Sequence, residues 1–362
     1  MGFDPYDTYW LQQSIQLLPP VNTFLKNRYF PDGATFTTAH VLVEYKNGVR
    51  KAAPFTSKRS SGIELERTGS ELKEFMPALI APKRTLTLDT LQHRGFGEQL
   101  NSQMTAQQRA LYYNTQDLSE LRPTIAIRKE AMAAQVIFEN KLSITEYTDD
   151  LTDGRNREIK FYEGTNDAVY TPSKPWDYTE ESGKQIIADI TAMIKKQSQR
   201  GLPATELLCS TEAADILINN VYIQKMLDNR RIEFGKIAPT ELLDGATEFM
   251  TLNINGRIIS FISYDNTYVG LDNKLKSFIP AGYVALAAPA KGGTAGINMI
   301  GQTLYGSVSQ LEDDNEFHTY VGTEIPQYVS DKKSNARTLT LRSAPLLMPI
   351  APNPFVTAKV TA

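Results

Sequence analysis

Tyr9, Trp10 and Leu11 crowd together near the start of the chain, Ile15, Leu17 and Leu18 follow, and the run stops at Pro19-Pro20. The pattern predicts a short helix over residues 6–17, closed by prolines that cannot donate a backbone hydrogen bond. A helix this short buries its stripe only by docking on the body or on a neighbour. Residues 36–54 alternate with period two around Asn47-Gly48, a hairpin-turn signal. The following stretch also alternates but offers little core material before Phe75. Residues 36–86 therefore predict a long extended arm, and a lone β-ribbon is marginal in water, so the arm needs a partner surface.

The longest helical pattern covers about residues 105–142. Leu111, Leu118, Ile125, Met132, Val136 and Phe138 recur at near-heptad spacing, and Arg128, Lys129, Glu130 and Glu139 fall on other faces. Pro123 lies inside this pattern and predicts a kink or a second helix start. Strands follow on both sides of a turn near Asp153-Gly154. Beyond residue 178 helix and strand alternate. Thr179 caps a helix whose stripe is Ile186, Ile187, Ile190, Met193 and Ile194, ended by Gly201. A buried strand follows at 205–210, then two short helices, a hairpin turning at Asn255-Gly256, and a buried strand at 282–289. Residues 170–288 thus read as a compact α/β unit.

The chain is β-rich again from residue 289. Its last 26 residues are apolar and crossed by Pro345, Pro349, Pro352 and Pro354. A free tail should not be so apolar. This end reads as a strand, a proline-broken turn and a last strand, all closing on the long helix near Ile125, Met132 and Val136.

Composition adds little to this picture. Net charge is −3, with 41% hydrophobic and 22% charged residues, so nothing global argues for tight binding of a polyanion. No stretch reaches the length of a membrane span, and Asp4 and Asp7 stand where a signal peptide needs positive charge. The lone Cys209 lies in an apolar run and reads as a small buried hydrophobe. His40, His93 and His318 are far apart and read as surface residues rather than a metal site. The glycine-rich stretch near Gly292-Gly293 lacks the spacing of a phosphate-binding loop. Asp149-Asp150 and Asp313-Asp314 read as solvated loop charge. With no convergent catalytic set, the sequence points away from an enzyme and calls for no cofactor and no metal.

The element order (N-terminal arm, long β-arm, long helix, α/β unit, closing strands) resembles the HK97-type fold of tailed-bacteriophage major capsid proteins. Particular stretches resemble the lambda-like major capsid protein E family: "YFPDGATFTTAHVLVEY" entering the arm, "EFMPALIAPKRTLT" leaving it, "YIQKMLDNRR", "INGRIISFISYDNTYV", and "RTLTLRSAPLLMPIAPNPFVTAKV" with Ser343-Ala344-Pro345 at its centre. The resemblance spans nearly the whole chain in order.

It implies an α+β, HK97-like capsid fold. Residues 1–33 would be an N-terminal arm and 34–84 an extended β-arm lying over a neighbouring subunit. Residues 85–169 with 289–362 would form a peripheral domain containing the long spine helix 105–142, and 170–288 an axial domain. The arm tip, Glu66, Arg67, Thr68, Gly69 and Ser70, and the axial loop, Asp265, Asn266 and Asn273, would be intersubunit contacts. The implied function is a major capsid protein assembling into hexamers and pentamers of an icosahedral phage head around double-stranded DNA. Its partners would be further copies, scaffolding, portal and decoration proteins, and weakly the packaged DNA, with no membrane. It would be made in the host cytoplasm and reside in the virion. Two other classes fit less of the pattern. An α/β enzyme centred on 170–288 would need a catalytic constellation, and a self-assembling tail component would lack the long helix.

Overall fold

The computed structural model describes residues 21, 23–46, 70–87, 105–147, 154–161, 168–202, 204–228, 235–289, 300–312, 316–331, 333, 335–351 and 353–361. Its helices are α1 (Phe24–Tyr29), α2 (Ala106–Glu139), α3 (Glu180–Gln199), α4 (Thr211–Asn219) and α5 (Val221–Leu227). The strands are β1 (Asp32–Thr35), β2 (Val41–Lys46), β3 (Ser70–Phe75), β4 (Lys83–Thr87), β5 (Lys141–Tyr147), β6 (Gly154–Lys160), β7 (Val169–Tyr170), β8 (Glu206–Cys209), β9 (Gly235–Glu241), β10 (Thr247–Ile254) and β11 (Arg257–Ser263). They continue with β12 (Thr267–Val269), β13 (Leu275–Ser277), β14 (Tyr283–Ala287), β15 (Gly301–Tyr305), β16 (Val308–Leu311), β17 (Phe317–Tyr320), β18 (Ile325–Asp331), β19 (Ala336–Arg342), β20 (Pro345–Pro349) and β21 (Val356–Lys359). The predicted helix at 6–17 and the Asn47-Gly48 turn lie outside the described residues.

A seven-stranded sheet in the order β7-β21-β14-β8-β11-β10-β9 organises the α/β unit. Its central strand β8 runs parallel to β11 and antiparallel to β14. Alternation along these strands feeds two different cores. Leu207, Cys209, Phe261, Val284 and Leu286 pack with Ile186, Ile190 and Met193 of α3. Leu208, Ile262, Ala285 and Ala287 point the other way, into a core shared with Met132, Val136 and Ile137 of α2. Burial on both faces explains why Leu207, Leu208 and Cys209 of β8 read as a continuous apolar run after Glu206. The β10–β11 turn holds Asn255 and Gly256 at φ 52° and 80°, as the Asn-Gly signal requires.

Helix α2 is one continuous 34-residue helix with Pro123 inside it. Thr105 and Gln108 form a reciprocal capping box at its start, and Asn140 closes it in the left-handed region. Its first half buries one stripe, with Leu118, Leu121 and Ile125 lying against Tyr328, Leu339 and Leu341 of the sheet β18-β19-β4. Leu111 is off that stripe and exposed, contrary to the heptad reading. The second half passes between the large sheet and β20, so almost every side is buried. Lys129 and Glu130, expected on outer faces, are both buried there.

The C-terminal run divides between two sheets. β20 pairs with β15, and Leu346, Leu347 and Met348 join the core of α2 as expected. The last strand differs from expectation. β21 enters the seven-stranded sheet between β14 and β7, and Val356, Ala358 and Val360 pack in the α3 core. Pro345 and Pro349 bound β20 and Pro354 precedes β21, positions where a missing N–H costs no interior ladder bond. Pro352 lies outside the described residues.

Candidate assembly surfaces

The root of the N-terminal segment is fastened by buried charge. Helix α1 has no side-chain cap of its own, which leaves its first N–H groups without helical partners. Glu130 reaches them from the middle of α2. Its Oε1 accepts from the Leu25 N–H at 2.6 Å and its Oε2 from the Lys26 N–H at 2.8 Å. Burial pushes the Glu130 carboxyl above the usual range, against the pull of the Lys26 and Leu25 donors.

The next residues extend this junction. The Lys129 Nζ sits 4.9 Å from the centre of the Tyr305 ring and 3.8 Å from Glu324. Burial lowers its ammonium to about 8 despite the attraction of Glu324. Glu324 also accepts from the Arg122 Nε at 2.9 Å. Asp32 receives the Lys26 ammonium at 2.7 Å and the Tyr305 hydroxyl at 2.5 Å. Burial acts to raise the Asp32 carboxyl, but these donors, with Lys129 nearby, hold it below its ordinary value. On the other side Arg28 pairs with Glu206 of β8, and the Tyr29 hydroxyl donates to the same carboxylate at 2.6 Å. Residues 25–32 are thereby tied to α2, β8 and β15.

Among the described residues, four two-stranded ribbons pair only within themselves: β2–β3, β5–β6, β12–β13 and β16–β17. Each leaves apolar side chains exposed: Leu42, Tyr147, Val269 with Leu275, and Leu311 with Phe317.

Glu66, Arg67, Thr68 and Gly69 lie outside the described residues. Ser70 opens β3, opposite Lys46 in the register of the arm ribbon. Asp265, Asn266 and Asn273 are exposed around the β12–β13 hairpin, and each makes a contact within its own chain. Asp265 accepts from the Thr211 hydroxyl at 2.7 Å, the Asn266 side chain accepts from the Thr267 N–H at 2.9 Å, and Asn273 turns the chain at φ 55°. The sequence reading named these polar residues and missed the aliphatic ones beside them. Val269 stands directly across from Leu275, and Leu271 lies in the turn between them. Their signal was three aliphatics in an otherwise polar hairpin.

Of the remaining candidate chemistry, His93, Asp149-Asp150, Gly292-Gly293 and Asp313-Asp314 lie outside the described residues, and the rest makes local contacts. His40 approaches Glu74 at 3.1 Å on the surface, and His318 lies beside the Tyr320 ring. Cys209 is fully buried, and burial pushes its thiol up. Among the described residues no group of His, Cys, Asp and Glu is arranged to hold a metal ion, and no helix is long and apolar enough to cross a membrane.

This fold, with a seven-stranded α/β sheet, one long buried helix and projecting ribbons, is that of a shell-forming protein. The family described as phage major capsid protein E matches residues 7–360, and the chain belongs to that family. It is a capsid-forming protein of HK97-like fold. It is similar to a prophage protein of Escherichia coli CFT073 described as a capsid protein, at 15% identity and TM-score 0.61, covering 98% of this chain and 99% of that one. It is also similar to a phage-related protein from Bordetella bronchiseptica RB50, at 10% identity and TM-score 0.50, covering 96% and 95% of the two chains. At these identities the likeness is one of fold. No curated protein sequence matches the chain.

Proposed function

We propose that this protein self-assembles into the hexamers and pentamers of an icosahedral phage head that encloses double-stranded DNA. The observation that carries this reading is the surface left uncovered by the single chain. A subunit whose ribbons keep apolar side chains in water completes its burial in an assembly. Rings and shells need heterologous contacts that close, so different ribbons would meet different neighbours. Residues 1–33 serve as the N-terminal arm and 34–84 as the β-arm over a neighbour. Residues 170–288 form the axial domain, and 85–169 with 289–362 the peripheral domain, except that β21 completes the axial sheet. Contacts at Glu66 to Ser70 and at Asp265, Asn266 and Asn273 would fix register, with Val269, Leu271 and Leu275 adding apolar area. The role is structural and not catalytic. Scaffolding, portal and decoration proteins would be its partners in the host cytoplasm before it resides in the virion. Its small negative charge keeps affinity for packaged DNA weak.

Negative-stain electron microscopy of the concentrated, purified chain tests this. Rings, shells or shell fragments are expected. A monodisperse monomer at every concentration and salt tried would overturn the proposal.

A further inference from the structure

Residues 24–35, comprising α1 and β1, form a strap across the place where the main elements meet. Phe24, Leu25, Tyr29 and Phe30 are buried in the shared core. The Phe24 ring lies 5.2 Å from Tyr264 at the end of β11, and the Tyr29 and Phe30 rings lie 6.3 and 5.8 Å from Phe355 just before β21. The Thr303 hydroxyl donates to the Phe30 carbonyl at 2.7 Å, and the Thr303 N–H to the Pro31 carbonyl at 2.9 Å, which ties the strap to β15. Gly301 makes room for it, since a Cβ there would stand 2.5 Å from the Phe30 ring. One segment therefore touches the seven-stranded sheet, the long helix and the sheet of β15 and β20.

Apolar burial is non-directional and would hold such a strap in more than one position. Yet both ends of α1 are met by buried carboxylates from different elements. Glu130 of α2 takes the first N–H groups. Glu206 of β8 accepts from the Arg28 Nε at 2.9 Å, from a terminal nitrogen of the same guanidinium, and from the buried Tyr29 hydroxyl at 2.6 Å. A buried ion pair returns little net stability, because desolvation offsets the attraction. What it adds is intolerance of any other position. A strap shifted by one residue would leave Glu206 without Arg28 and Tyr29, and Glu130 without its two donors, and unpaired buried charge is costly. We propose that Glu130 and Glu206 are positioning residues. They seat the strap in one register, and that register sets the seven-stranded sheet against the long helix in the single geometry that a closed shell demands of every copy. The part played in assembly rests on the capsid reading; the seating does not.

Removing one partner and removing the whole set separate register from stability. Glu206→Leu alone leaves Arg28 and the buried Tyr29 hydroxyl without their acceptor, and it should lower the melting temperature of the unassembled subunit. Arg28→Met, Tyr29→Phe and Glu206→Leu together replace the set by apolar groups of similar size, and this triple variant should melt at or above the parent. Its strap should nevertheless lose its fixed seat. Hydrogen exchange across residues 24–30, read by mass spectrometry, should run at least tenfold faster than in the parent. Closed shells counted by electron microscopy at equal concentration should fall at least tenfold. Arg28→Lys, which keeps an ion pair with Glu206, should restore most of both. A triple variant with parent-like exchange, or one that melts below Glu206→Leu, would overturn the seating role. Faster exchange with parent-like shells would remove the strap from assembly. Exchange and melting are read on the unassembled subunit. A parent that forms no shells would therefore end the capsid reading and the assembly role with it, while exchange still decides the seating.

Discussion

Lys129 shows how far one side chain departs from its sequence context. In the run Arg128-Lys129-Glu130 it reads as surface charge, yet it is buried against the Tyr305 ring. Burial lowers its ammonium from 10.5 to about 8. Below pH 8 both folded and unfolded chains carry the proton, and the cost of the buried charge is present in full. Between about 8 and 10.5 the folded chain gives up its proton first, so stability rises with pH over that window, by at most about 3 kcal/mol. Urea unfolding of the unassembled subunit should show the midpoint climbing from pH 7.5 to 9.5. Stopping there avoids the tyrosines, whose raised values act in the opposite direction at higher pH; the buried Cys209 thiol opposes the climb from about pH 9 in the same way, so both chains are compared in a Cys209→Ala background. Lys129→Met should flatten that climb and stabilise the subunit at pH 7 by about 1 kcal/mol, since Glu324 keeps Arg122. A midpoint that is flat in the parent would refute the buried-ammonium account. Glu130 carries the same lesson. Its partners lie 105 residues away in the chain, at the start of a helix too short to announce itself, so no local pattern could reveal the contact.

At the scale of elements, periodicity served where both faces of a segment have a clear fate. The α3 stripe, the capping by Thr179, the apolar run of β8 and the Asn255-Gly256 hairpin all follow from spacing alone. Helix α2 was legible in existence and extent but not in facing, because its burial changes from a stripe to all sides along its length. Leu111 satisfies the heptad and still faces water. The edge strand β9 is almost wholly exposed and the ribbon strand β17 has four residues, so neither offered an apolar run to recognise. The division of β20 from β21 was also hidden, since alternation states that a strand is half buried and not which sheet receives it. Its position gives a test. Ending the chain before Phe355 removes β21, uncovers the β14 edge and strips Val356, Ala358 and Val360 from the α3 core. Deleting one such buried aliphatic typically costs a few kcal/mol, so losing three with a strand should exceed the stability of the unit. The truncated chain should be insoluble or lack a cooperative melt by circular dichroism. A soluble chain melting like the parent would show that β21 is dispensable.

For the whole molecule, the question is which parts serve the subunit and which serve the shell. The β-arm straddles that division, and the structure shows where to cut. Phe75 at the end of β3 is buried, with its ring 5.6 Å from Phe161, and the following chain bridges Ile80 to Ser343. A deletion of residues 55–78 would therefore remove core along with arm, and lost assembly would be ambiguous. Replacing residues 47–69 with a two-residue Asn-Gly turn keeps β2 paired with β3 from Val41–Phe75 through Lys46–Ser70 and leaves the core intact. The shortened subunit should melt within a few degrees of the parent, because the β2–β3 pairing and the buried Val41 and Phe75 are all retained. It should also fail to form rings or shells, because the segment meant for its neighbour is gone. Thermal melting and electron microscopy on one preparation read the two outcomes separately. A shortened chain that builds normal shells would remove the arm from the assembly. One that fails to melt cooperatively would place residues 47–69 in the subunit's own fold.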